Sequence, residues 1–482
     1  MTDRHETAET MATTTPTRRR FLQGTAAAGL LATPAAALLS ACGAAGTGTA
    51  GQGKTSSKNP FGVDASAPLE VVIFKGGYGD DYARSDTDIY KKGFPNASIK
   101  FADVQQVTQE YQPRFVAGNP PDIMDDSGAY NIQPGTLVGQ HQLADLEDFW
   151  NAPSHDDASK KVKDTVLFDT QKDAVYNGKH YVLLYALSLY GLWYSQPLFQ
   201  EKGWKYPQTW SDMLNLCAEI KQSGMAPWTY QGKYPSYMVI LWSQMAQKIG
   251  GPDVMKKIDN LEPNAWKQDA VMEALDALYQ LATKDYIMQG TPGLTHIESQ
   301  TAWLQKKAAF IPCGSWLENE MKQFIPQGFD MVIAPPPSVT KKDKMGWESI
   351  NSYAGEDFIV PSKGKNVAGG KEFMRIMCSK QAAQQFTKLT RTLTIVKGAA
   401  DGLDISKTDT ALKSSLEWLN KGAPRVPSAL FGTWYAELNN TVKDAMGSMM
   451  TRRSTPQDFV QTVQSKADSV KSDPNITKFK RA

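Results

Sequence analysis

Leu69-Glu70-Val71-Val72-Ile73-Phe74-Lys75-Gly76-Gly77-Tyr78-Gly79 is a strand that runs into a glycine-rich turn, and it sets the pattern the rest of the chain repeats. A short apolar run rich in β-branched side chains and closed by glycines reads as a buried strand. The turn opens a helix through about Phe94. Ser98 to Phe101 read as a second strand, and about Thr108 to Ala117 as a second helix. Gly118-Asn119-Pro120-Pro121 then turns the chain into a third short strand, Asp122-Ile123-Met124. Strands alternating with amphipathic helices predict α/β layering. Helix starts recur downstream: Thr209-Trp210-Ser211-Asp212 opens one like a capping box, Ser379 caps another, and Thr455-Pro456-Gln457-Asp458 opens a third. Pro335-Pro336-Pro337, followed by Lys341-Lys342-Asp343-Lys344, reads as an extended, polar crossing segment, and no internal repeat is visible.

Ahead of this region the sequence speaks about compartment. Residues 21–41 carry no charge and are rich in Ala and Leu, long enough to suggest a membrane span. Pro34, the basic stretch before them and the small residues at their end instead mark a signal peptide. Thr17-Arg18-Arg19-Arg20-Phe21-Leu22-Gln23 is similar to the twin-arginine export signal, and Leu39-Ser40-Ala41-Cys42 resembles the lipobox of bacterial lipoproteins. That resemblance implies cleavage after residue 41, lipidation of Cys42, and tethering at the extracellular face of the cell membrane. No later run is apolar enough to cross a bilayer, so lipid is the only anchor expected.

Gly46 to Gly51 formally match a dinucleotide fingerprint, and Gly48 to Thr55 formally match a P-loop. Both motifs need a buried strand before the loop and a helix after it. Here a signal peptide precedes, and Ser56-Ser57-Lys58-Asn59-Pro60 follows, so residues 42–65 are expected to be a flexible linker.

Residues 42–482 are too many for one compact core and suit two domains. With 52 basic and 50 acidic residues the net charge is only +2, which gives no reason to expect nucleic acid as a partner. Beyond Cys42, the cysteines Cys217, Cys313 and Cys378 are widely spaced and form no CxxC pair, so they read as small core residues. His141, His155, His180 and His296 lack metal-ligand spacing, and neither a metal nor a cofactor is expected.

Several blocks, taken in order, resemble the extracellular sugar-binding proteins of ABC importers, the maltose-binding-protein-like group. They are Phe115-Val116-Ala117-Gly118-Asn119-Pro120-Pro121-Asp122-Ile123; Asn177-Gly178-Lys179-His180-Tyr181 through Leu192-Trp193-Tyr194-Ser195-Gln196-Pro197-Leu198-Phe199; Pro207-Gln208-Thr209-Trp210; Lys307-Ala308-Ala309-Phe310 through Gly314-Ser315-Trp316; Lys371-Glu372-Phe373-Met374 with Ser379-Lys380-Gln381-Ala382; and Trp434-Tyr435-Ala436. The first strand and turn, with Pro113 to Asp122, look closest to actinobacterial lipoproteins that bind N-acetylglucosamine and N,N′-diacetylchitobiose. The resemblance implies a two-lobe periplasmic-binding-protein-like α/β fold, with hinge crossings and a ligand cleft between the lobes. Mapped on this chain, lobe one is 66–186 plus 336–395 and lobe two is 187–335 plus 396–482. It also implies a monomer that works with two permease subunits and a cytoplasmic ATPase.

A pyranose buries its C–H faces against flat rings, while its rim needs paired donors and acceptors. Trp316 stands where a strand ends and a helix begins, a place where ligands gather in α/β folds, and the family sets a ring there. Trp434 matches the family's other platform. Tyr78 sits in the glycine-rich turn, and Asp125, Asp126 and Ser127 follow the third strand, placed for hydroxyls. Trp228 and Tyr237 surround a loop with Pro and Gly, and Glu318 lies one helical turn beyond Ser315. Asn351, Tyr353 and Arg391 are carried over from family positions. Trp193, Trp210, Trp266 and Trp418 sit at amphipathic spacing and read as packing residues. Two other readings remain open at this level: the same fold holding a cello- or malto-oligosaccharide, and a secreted glycoside hydrolase. The latter needs two carboxyl groups across one bond. Asp125-Asp126 and Glu318-Asn319-Glu320 offer carboxylates, but nothing in the sequence pairs them across a cleft.

Overall fold

A computed structural model describes residues 53–403, 410–421 and 423–481. The export signal at 1–41, the lipidation site Cys42 and the first part of the linker lie outside the described residues. The end of the linker, 53–65, is not extended chain. Gly53 N–H donates to the Gly62 carbonyl, Asn59 bonds both ways with Val63, and Arg375 donates to the Lys58 carbonyl, pinning the turn to the body. Val63 is buried there, which supplies the apolar anchor that a Gly/Ser-rich composition conceals.

Strands β1 (Leu69–Phe74), β2 (Ile99–Val104) and β3 (Ile123–Asp125) lie parallel in the order β2-β1-β3, with helices Asp81–Gly93 and Val107–Val116 as crossovers. Val71, Val72 and Ile73 are fully buried, as a strand covered on both faces requires. β4 (Val175–Tyr176) and β5 (Lys179–His180) form a small hairpin. β6 (Val182–Ser195) follows; then come β7 (Ala226–Trp228), β8 (Ala308–Gly314), β9 (Met331–Ala334), β10 (Asn351–Ile359) and β11 (Leu393–Thr394). The long sheet runs β2-β1-β3-β10-β6-β8-β7, and β9 and β11 also pair with β6.

β6 is the shared element. Its first part, Val182 to Tyr190, pairs antiparallel with β10, and its second part, Tyr190 to Ser195, pairs with β8 and β9. The fold is accordingly two α/β lobes joined through a crossing strand. Gly191 sits where the partner changes. A Cβ there would stand 2.4 Å from the Ala334 carbonyl oxygen, so the close approach of β9 requires glycine.

The helix caps form as the sequence indicates. Thr209 accepts from Asp212 N–H, Ser379 from Ala382 N–H, and Thr455 makes a reciprocal capping box with Asp458. Trp193, Trp210 and Trp266 are core residues, and Trp418 is partly buried with its Nε1 donating to the Ile333 carbonyl. Pro335 to Pro337 are buried rather than solvated. Buried Lys248 donates to the Pro336 and Trp347 carbonyls, which satisfies the backbone of that crossing. Cys217, Cys313 and Cys378 are free and buried.

Candidate functional site

A cavity of about 400 Å³ opens where β1, β3 and β8 deliver their C-terminal ends. This is the edge at which α/β sheets present loops to ligands. One wall carries Tyr78, Ser127 and Gly128 from the turns after β1 and β3. The opposite wall carries Tyr237, Trp316 and Glu320. The floor is the crossing pair β6 and β10, with Ser188, Asn351 and Tyr353.

Trp316 is only partly buried, and its Nε1 donates 3.3 Å to the Tyr237 hydroxyl. Gly77 and Gly314 flank its ring, each so close that a Cβ would collide with it. Tyr237 is itself fixed by the Tyr190 hydroxyl, which donates 2.9 Å to its carbonyl. The Tyr78 hydroxyl lies 2.8 Å from Ser188 Oγ, and burial pushes its pKa up. Asn351 Nδ2 donates 2.8 Å to the Val426 carbonyl, while its buried Oδ1 has no partner among the described residues.

Of the residues expected from sequence, Trp316, Tyr237, Tyr78, Ser127, Asn351 and Tyr353 line this cavity. The others do not. Trp228 lies wholly in the core, its Nε1 donating to Cys217 Sγ and its ring against Phe310, because β7, although the last strand of the sheet, is covered by Trp210 and bridged at Trp228 to Ile287. Trp434 is 3% exposed and packs on Phe479 and Tyr435 behind the lining segment Leu430 to Thr433. Asp125 and Asp126 are buried behind the wall rather than presented to it. Asp126 Oδ1 accepts from Ile132 N–H, and Asp125 Oδ1 accepts from Ser127 Oγ. Ser127 Oγ also accepts from Asp357 N–H, so its hydrogen-bonding capacity is largely used within the protein. Arg391 takes φ +55° at the end of helix Lys380–Thr390, a left-handed cap away from the cavity. Glu318 is not among the lining residues; Glu320, two positions on in the same turn, is.

Sequence reasoning missed Glu356, Asp357 and Phe431, all of which line the cavity, and named Glu320, which lines it too, only as a carboxylate of the hydrolase reading. The signal was an acidic pair within β10, directly after Gly355 and directly before Phe358-Ile359. Glu356 adopts φ +56°, a left-handed conformation uncommon for a long side chain. Burial raises the pKa of Glu356 to about 7, and the neighbouring Asp357 charge adds to it. Asp357 is likewise raised to about 7 by burial. Asp125 and Asp126 are raised by burial too, Asp125 further by the Glu356 charge. Lys443, at another part of the lining, is lowered by burial. Rings for stacking and carboxyl groups for hydrogen bonding suit a neutral, hydroxyl-rich solute.

Residues 87–414 match the family described as bacterial extracellular solute-binding protein. The diacetylchitobiose binding protein NgcE of Streptomyces coelicolor is 33% identical over 432 residues, covering 89% of this chain and 90% of that protein. A solved structure of a chitin oligosaccharide binding protein aligns with a TM-score of 0.66 at 19% identity, over 81% of this chain and 93% of the other. A structure from work on xylan utilization by the thermophilic bacterium Caldanaerobius polysaccharolyticus aligns with a TM-score of 0.71 at 18% identity, over 83% and 99%. Those two likenesses speak to the fold alone. The match of the family over most of the chain, together with the relative at 33% identity, shows that this chain belongs to the bacterial extracellular solute-binding protein family.

Proposed function

We propose that this protein is the lipid-anchored, extracellular sugar-capturing component of an ABC importer, and that its ligand is N-acetylglucosamine or N,N′-diacetylchitobiose. The 33% identity to a diacetylchitobiose binding protein, sustained along nearly the whole of both chains, carries this reading. The cavity supports it: Trp316, Tyr237 and Tyr353 supply flat faces for a pyranose, and Asn351 Oδ1 is left for a ligand N–H or O–H. Lobe one is 66–186 plus 336–395 and lobe two is 187–335 plus 396–482, with ligand favouring the closed form by its differential affinity for it. The protein acts as a monomer tethered through Cys42, hands its cargo to two permease subunits driven by a cytoplasmic ATPase, and breaks no bond in the sugar.

Titration of the purified mature protein against a glycan panel tests this. N,N′-diacetylchitobiose or N-acetylglucosamine is expected to shift tryptophan fluorescence and to be recovered intact by mass spectrometry. Binding of cellobiose or maltose without either amino sugar would reassign the ligand, and cleavage of the disaccharide would make the protein a hydrolase.

A further inference from the structure

We propose that the cavity also accepts a sugar bearing a free ammonium group, a de-N-acetylated amino sugar, held by the carboxylates of Glu356 and Asp357. This rests on the carbohydrate-binding reading above and extends it to a cationic ligand class.

Four carboxyl groups gather where β3 meets β10. Phe358 pairs with Asp125 in the ladder, and Asp126 N–H donates 2.8 Å to the Asp357 carbonyl, which brings Glu356 and Asp357 beside Asp125, Asp126 and Ser127. Elsewhere around the cavity the acids have basic side chains beside them: Asp173 lies 3.8 Å from Arg481, and Glu320 lies 3.5 Å from the His296 ring nitrogen. Among the described residues no such partner acts on the four: what surrounds them is burial, one another, Ser127, Ile132 N–H, the Tyr82 hydroxyl, which donates 3.4 Å to Asp125, and Glu320. Asp126 Oδ2 is fully buried and has no hydrogen-bond partner among the described residues.

Buried carboxylates without a counter-charge are expensive and are neutralised either by protons or by a cation. Of the four, Glu356 and Asp357 reach the cavity, and Gly355 with the left-handed turn at Glu356 directs the chain so that they do. An ammonium group entering there meets acceptors on Glu356 and Asp357 and the negative ring faces of Tyr78 and Tyr353, which line the same region. An N-acetyl group offers one neutral N–H and leaves the charge uncompensated. The titratable groups facing the pair are Asp125 and Asp126 behind it, Tyr78 and Tyr82 from the β1 side, Tyr353 on β10 itself, Tyr176, and Glu320 opposite. Because Glu356 and Asp357 are partly protonated near neutral pH, capture of a cation displaces protons from them into solvent.

Calorimetric titration of the mature protein with di-glucosamine and with N,N′-diacetylchitobiose, in two buffers of different ionisation enthalpy, tests this. Di-glucosamine is expected to bind within about tenfold of the acetylated sugar, to release protons, and to tighten as pH rises from 5.5 to 7. Glu356→Gln is expected to shift the ratio of the two dissociation constants at least tenfold against di-glucosamine, with Asp357→Asn as a second variant read the same way. Binding of the acetylated disaccharide with none of di-glucosamine overturns this proposal alone, as does an unshifted ratio in both variants. Binding of neither disaccharide overturns the carbohydrate reading and this proposal together.

Discussion

Asn319 Nδ2 donates a 2.7 Å hydrogen bond to the carbonyl of Gly77, linking the helix that follows β8 to the turn that follows β1. The bond bridges opposite walls of the cavity beside Trp316. A Cβ on Gly77 would stand 2.6 Å from Trp316 Cβ, so the backbone can come this near only as glycine. Gly77→Ala is therefore expected to force the walls apart and to weaken sugar binding about tenfold. Asn319→Ala, which loses a single hydrogen bond worth about 1 kcal/mol, is expected to weaken it about fivefold. Small-angle scattering should show less compaction on ligand addition in both. Unchanged affinity with a lowered melting temperature would make the contact merely structural.

The tryptophans separate cleanly by environment. Trp316→Ala removes a partly buried ring from the cavity wall and is expected to weaken ligand binding by about 1–3 kcal/mol with a small change in melting temperature. Trp434→Ala and Trp228→Ala empty buried sites and are expected to cost about 3–5 kcal/mol of stability each. Urea denaturation and fluorescence titration on the same three variants check the division. A Trp434→Ala protein of normal stability that no longer binds would return that ring to the ligand.

Much of this division was hidden in the sequence. The strand at 69–74 and its turn were legible because β-branched runs closed by glycine have few other outcomes. Trp316 was legible as a ring at a strand end. Trp228 and Trp434 were not, since a ring beside a Pro- or Gly-bearing loop looks the same whether the fold turns it inward or toward the cleft, and only packing against distant residues, Phe310 for one and Phe479 for the other, decides. Glu356 was missed because a strand pattern assigns its side chain to a face by alternation, and the left-handed turn at that residue breaks the alternation. Residues 53–65 were misread because composition reports flexibility, while their anchoring depends on Arg375, more than three hundred positions away.

Stability should fall as pH rises through the acidic to neutral range. Glu356 and Asp357 hold their protons up to about pH 7 in the folded chain, against ordinary values of 4.5 and 3.8. Between about pH 4 and pH 7 the folded state thus binds more protons than the unfolded one, and the slope of stability with pH is negative. Below that window both states are protonated, and above it the loss is complete. At about 1.4 kcal/mol per pKa unit, the two shifts together correspond to an expected drop on the order of several kcal/mol. Glu356→Gln is expected to flatten the profile and to raise the melting temperature at pH 8. A wild-type profile that is flat, or that rises from pH 5 to pH 8, would contradict this.

The three described cysteines give a chemical test of both the core and the tether. Cys217, Cys313 and Cys378 are buried, and burial pushes each thiol upward, Cys217 to about 12. Since the thiolate is the reacting form, a disulfide reagent at pH 8 should leave the native protein unlabelled, and a reductant should leave its melting temperature unchanged. In guanidinium chloride all three should react rapidly. Protein extracted from its own membranes should show three reactive thiols rather than four if Cys42 carries a thioether-linked lipid, and a fourth thiol would overturn the tether. Labelling of the native protein at Cys313 would instead mean that β8 opens beneath Trp316, because Cys313 lies directly before Gly314 in the strand that leads to that ring.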